Sequence, residues 1–92
     1  MRQSVVLVHG LRTSATMWRG QIAALEAAGH EAIAIDLPGH GSRISERFTL
    51  DGATAAIGDA VESASHPVFL CGFSLGGYTS IHWAGAISNR RR

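Results

Sequence analysis

The chain has no lysine, only one cysteine and two prolines, and no acidic residue after Glu62, although seven acidic and eight basic side chains are spread over its 92 residues. Without lysine there is no phosphate loop of the kind that closes on Gly-Lys-Ser/Thr, and no amine for Schiff-base chemistry. The cations are all arginine, three of them at Arg90, Arg91 and Arg92, and the net charge is only +1, which leaves no basic face for nucleic acid. The lone cysteine, Cys71, excludes an internal disulfide and a cysteine-pair zinc site. Long apolar runs are absent too: Val5-Val6-Leu7-Val8 stops at His9-Gly10, too short for a secretory signal or a membrane span, so a cytoplasmic location is expected.

What is present is globular in character. With 46% hydrophobic and 16% charged residues, the chain is too apolar to be disordered, and its length allows one small domain of marginal stability over residues 1–92. Val5 to Val8 reads as a strand buried on both faces of a parallel sheet. Trp18, Ile22, Leu25 and Ala28 recur at helical spacing, with Ser14 and Thr16 as caps and Gly29 as the stop. Ala32 to Ile35 forms a second strand, closed by the loop Asp36-Leu37-Pro38-Gly39-His40-Gly41. A second helix, opened by Thr49 or Asp51, runs through Leu50, Thr54, Ile57 and Val61, weakened by Gly52 and Gly58. His66-Pro67 precedes a third strand, Val68 to Cys71, and a last helix, Leu75 to Ile87, is apolar on more than one face. This alternation predicts right-handed crossovers and an incomplete α/β sheet of three parallel strands, whose open edges invite self-association.

Gly72-Phe73-Ser74-Leu75-Gly76 sits between the third strand and the last helix. A strand turning sharply into a helix exposes the middle serine, and small flanking residues let the backbones pass closely. Ser74 is therefore the candidate nucleophile. In this order of chemistry an acid and then a histidine follow the serine, yet the eighteen residues after Ser74 contain no Asp or Glu and only His82, two helical turns away.

Three ordered motifs, Val8-His9-Gly10, Asp36 to Gly41 and Gly72 to Gly77, make the chain resemble the N-terminal part of an α/β-hydrolase, from Val5 to about Gly85. His9-Gly10 followed by Trp18 and Leu25-Glu26-Ala27-Ala28-Gly29-His30 is similar to the small methylesterase and hydroxynitrile-lyase branch. The resemblance implies a serine hydrolase of carboxylic esters working through an acyl-enzyme, with no cofactor or metal and a small ester-like substrate. It also implies that the backbone N–H groups of Leu11 and Leu75 form the oxyanion hole, and that His9, Gly10, Gly72 and Gly76 shape the site. The later strands, the cap, the acid and the histidine of the family lie outside these residues. Two alternatives follow from that: an inactive remnant or edge-pairing fragment, its arginine tail a solvated end or sequence read past a disrupted frame, and a lyase built on the same triad. Asp36 is expected to brace its loop, Cys71 to pack as a small hydrophobe, and His30, His40 and His66 to be ordinary loop residues.

Overall fold

In the computed structural model the described residues are 2–90, with side chains to residue 87; Arg91, Arg92 and the side chain of Arg90, on which the expected solvated tail rests, lie outside them. The elements are β1 (Ser4–Val8), a 3-10 turn (Ala15–Trp18), α1 (Arg19–Ala27), β2 (Glu31–Ile35), a 3-10 turn (Gly41–Arg43), α2 (Leu50–Ser63), β3 (Val68–Gly72) and α3 (Leu75–Arg90). One difference from the periodicity is local. Trp18 belongs to the 3-10 turn, whose entry is capped by the Ser14 side chain accepting from Thr16 N–H, and α1 starts one residue later.

The three strands form one parallel sheet in the order β2-β1-β3. Val8 lies level with Ile35 on one side and with Gly72 on the other, so all three strands finish on a common line. The connection from β1 to β2 steps one way and that from β2 to β3 steps back across β1. Right-handed crossovers in opposite directions place α1 on one face and α2 on the other. On the α2 face, Val6, Val8 and Leu37 pack with Ala53, Ile57 and Ala60, joined by Leu70, Leu75 and Trp83. Full burial of each large aliphatic contributes roughly 1.5–3 kcal/mol, so this single cluster carries most of the core. On the α1 face, Val5, Leu7, Phe69, Cys71 and Trp18 line an apolar groove of about 640 Å³. β3 is an edge strand, with Val68 37% and Phe69 62% exposed.

At the opposite end of the sheet a polar knot ties all three strands. Ser4 Oγ donates to Glu31 and accepts from His66 N–H at 3.0 Å, while Ser65 N–H donates to Glu31 at 2.9 Å. The Ser4 hydroxyl, then the Ser65 amide, hold the Glu31 carboxyl below the ordinary range for a glutamate. Among the described residues, no helix is long and apolar enough to cross a membrane.

Candidate active site

The loop after β1 leads to a helix on one face and the turn after β3 to a helix on the other, so the crevice between these adjacent strand ends is the switch point of the sheet. Open α/β sheets bind ligands there. Ser74 stands in that crevice's rim, between the end of β3 and the start of α3.

Ser74 is exposed and has φ of 56°; it and Arg12, at 62°, are the non-glycine residues with positive φ among the described residues. That conformation costs an L-residue about 1–2 kcal/mol, and the surrounding structure holds it. Phe73 N–H donates to the Val8 carbonyl at 3.0 Å, pinning the turn to β1, and Tyr78 N–H donates to the Ser74 carbonyl at 3.0 Å, starting the helix. Gly72 and Gly76 are needed because backbones meet there. A Cβ on Gly72 would lie 2.5 Å from the Gly76 carbonyl oxygen, and one on Gly76 would run into the carbonyls of Val8 and His9. Leu75 is the first residue of α3, so its N–H has no intrahelical acceptor and sits at the positive end of the helix dipole.

The facing wall is the loop after β1. His9 is fully buried; its Nε2 accepts from Leu37 N–H at 2.9 Å, which puts the ring proton on Nδ1, 2.8 Å from the Gly10 carbonyl oxygen. Both nitrogens are thus engaged within the fold. The Gly10 carbonyl also accepts from Thr13 Oγ1 at 2.9 Å and from Thr13 N–H at 3.4 Å, closing a turn over Leu11 and Arg12. Positive φ at Arg12 marks it as type II, a turn that ordinarily takes glycine there. Leu11, its other central residue, is 60% exposed. The two walls touch, since a Cβ on Gly10 would come within 2.9 Å of the Phe73 ring.

Asp36, at the end of β2, accepts from Ala15 N–H (2.8 Å), Ser42 N–H (3.0 Å) and Ser42 Oγ (2.7 Å), which locks the loop after β1 to the loop after β2. Partial burial pushes its carboxyl upward, but those hydrogen bonds outweigh it and the group titrates below the ordinary aspartate range. Beneath, His40 is buried with its ring 4.9 Å from that of His9, and its Nδ1 is 3.0 Å from the Pro38 carbonyl oxygen. The two loops enclose an open cleft of about 660 Å³ lined by Thr13, Met17, His40 and Ile44, among others; Ser74 is not one of its walls.

The remaining candidates lie elsewhere. His82 is exposed on α3, stacked 6.5 Å from the Tyr78 ring. His30 accepts from Gln3 N–H at 3.1 Å, and Cys71 is half-buried beside α1. Among the described residues, no cluster of three or more His, Cys, Asp or Glu could hold a metal ion. Two residues of the site were not visible as such in the sequence. Thr13 has no motif, only its place three residues after Gly10, and the tilted contact of the His40 ring with His9 joins residues 31 positions apart, on two separate loops.

A family model described as alpha/beta hydrolase family matches residues 5–91. The chain belongs to that family. It is 38% identical over 82 residues to esterase PIR7B of Oryza sativa subsp. japonica, covering 83% of this chain and 31% of the relative. Salicylic acid-binding protein 2 of Nicotiana tabacum is 40% identical over 77 residues, 78% of this chain and 30% of the relative. Among solved structures, the crystal structure of polyneuridine aldehyde esterase superposes with a TM-score of 0.74 at 31% identity, over 86% of this chain and 33% of that one. The chain thus spans about a third of the length of these relatives, and its resemblance falls in the methylesterase-like branch of the family.

Proposed function

We propose that this alpha/beta hydrolase chain contributes the nucleophile and the oxyanion hole of a serine esterase that acts on carboxylic esters through an acyl-enzyme. The observation that carries the reading is Ser74 held at positive φ on the turn from β3 into α3, at the switch point of the sheet. In this reading the Ser74 hydroxyl attacks the ester carbonyl, and the oxyanion is received by the N–H groups of Leu75 and Leu11. The alkoxide leaves with a proton, and water then releases the acid. A serine hydroxyl is a weak nucleophile until a base takes its proton. With both nitrogens of His9 engaged and His82 on the exposed face of α3, we assign the base and its orienting acid to residues beyond these ninety-two.

The test is fluorophosphonate labelling of the protein expressed with the coding sequence that follows codon 92, mapped by peptide mass spectrometry. Label on Ser74, lost in Ser74→Ala, is expected; label elsewhere, or none, removes the assignment.

A second reading concerns these residues by themselves. β3 is an uncharged edge strand with Phe69 62% exposed, and an apolar unpaired edge is a template for a second chain. Self-association through β3 predicts an apparent mass that rises with concentration in size-exclusion chromatography and falls for Phe69→Lys. A concentration-independent monomer excludes it.

A further inference from the structure

We infer that the Gly10 carbonyl is the anchor that aims the Leu11 N–H, and that His9 and Thr13 are the positioning residues that hold it; this rests on the oxyanion role proposed above for Leu11. The Gly10 carbonyl and the Leu11 N–H belong to one rigid trans peptide and point in opposite directions. Fixing the oxygen therefore fixes the N–H. Three donors converge on that oxygen, His9 Nδ1 at 2.8 Å, Thr13 Oγ1 at 2.9 Å and Thr13 N–H at 3.4 Å, which is more than one carbonyl needs for satisfaction. They converge at a glycine, the residue whose backbone would otherwise be freest to rotate.

Each donor is itself braced. His9 donates from Nδ1 only while Nε2 accepts from Leu37 N–H, so the loop after β2 selects the tautomer, and the His40 ring lies against the imidazole. Thr13 is exposed, and besides the Gly10 carbonyl its hydroxyl reaches only Met17 Sδ, at 3.3 Å, so its removal tests the clamp without emptying the interior. From the other loop, the Phe73 ring abuts Gly10 and limits swing of the same peptide. The donor is thus preorganised before any substrate arrives, as an oxyanion hole requires.

The experiment is NMR on the isotopically labelled chain. The nitrogen shifts of the His9 ring are expected to show the proton on Nδ1. Thr13→Val is expected to move the Gly10 carbonyl resonance upfield and change the Leu11 N–H residual dipolar coupling. Thr13→Ser is expected to restore both, with the couplings of α2 amides such as Ile57 unchanged throughout. A Leu11 coupling indifferent to Thr13→Val, or a His9 proton found on Nε2, overturns the inference. A Leu11 coupling that responds while Ser74 stays inert to fluorophosphonate in the protein expressed with the coding sequence that follows codon 92 supports the clamp and removes the esterase reading instead.

Discussion

Alanine placed at Gly76 and at Gly85, both in α3, separates helix propensity from the close approach that builds the site. Both substitutions stiffen the unfolded chain alike and add the same methyl group. At Gly85 nothing lies within 4 Å of the new Cβ, so the ordinary gain of about 1 kcal/mol should appear in full. At Gly76 the Cβ would stand 2.5 Å from the His9 carbonyl oxygen and nearer still to that of Val8. Ordinary contact begins near 3.4 Å, so one backbone has to retreat by more than 1 Å. β1 is held by a hydrogen-bond ladder on each side and cannot give, so the start of α3 moves, taking Ser74 and Leu75 with it. Overpacking of this kind costs about 1–3 kcal/mol and more against backbone. The two variants should therefore differ by about 2–4 kcal/mol, a large share of the roughly 5–14 kcal/mol expected of a chain this size. In urea, with a slope near ~1 kcal/mol/M for a small domain, their midpoints should separate by about 2 M or more, Gly85→Ala above the parent and Gly76→Ala below it. Midpoints that shift together would refute the claim that backbone contact sets residue 76.

Two further predictions follow from the strained turn and the loop brace. Ser74→Gly should raise stability by about 1 kcal/mol, because glycine relieves positive φ at a modest cost in chain entropy, while abolishing any labelling of residue 74; a destabilised variant in urea would show that φ there is not strained. Asp36 has a folded-state pKa below its unfolded value near ~3.9, so its contribution is complete above that value and is lost as pH falls through the lower folded one. An acid titration followed by amide exchange should release the amides of Ala15 and Ser42 over the same range, and Asp36→Ala should abolish that step and cost about 1–3 kcal/mol at neutral pH.

Much of the architecture was legible because each strand is a short apolar block ended by glycine or proline, and because the serine turn occurs between a strand and a helix. The structure confirms the three parallel strands with flanking helices, and it chooses Thr49 over Asp51 as the α2 cap, its hydroxyl accepting from Gly52 N–H at 2.9 Å. It also explains the glycines that weaken α2 on propensity. A Cβ at residue 52 would crowd Pro38 and the Thr49 hydroxyl, and one at residue 58 would sit 3.3 Å from the Trp83 indole nitrogen. Local preference is sacrificed there for tertiary contact, which no single-segment pattern reveals. The expected brace at Asp36 is present, with partners on two loops. The His9 to Leu37 bond spans 28 positions and the Ser4 to His66 bond 62, and such pairings leave no periodic trace because they depend on the order in which strands lie side by side.

That order has a consequence for how the chain comes into being. β1 is the middle strand and is made first, yet one of its two ladders waits for β3, some 60 residues later. At about 5–20 residues per second, a nascent β1 spends several seconds with that edge unpaired, and its non-local pairing makes closure of the sheet the slow step. The central strand is thus the part most in need of chaperone cover during synthesis, and slow codons between β1 and β3 would lower the yield of folded protein more than the same codons placed within α3.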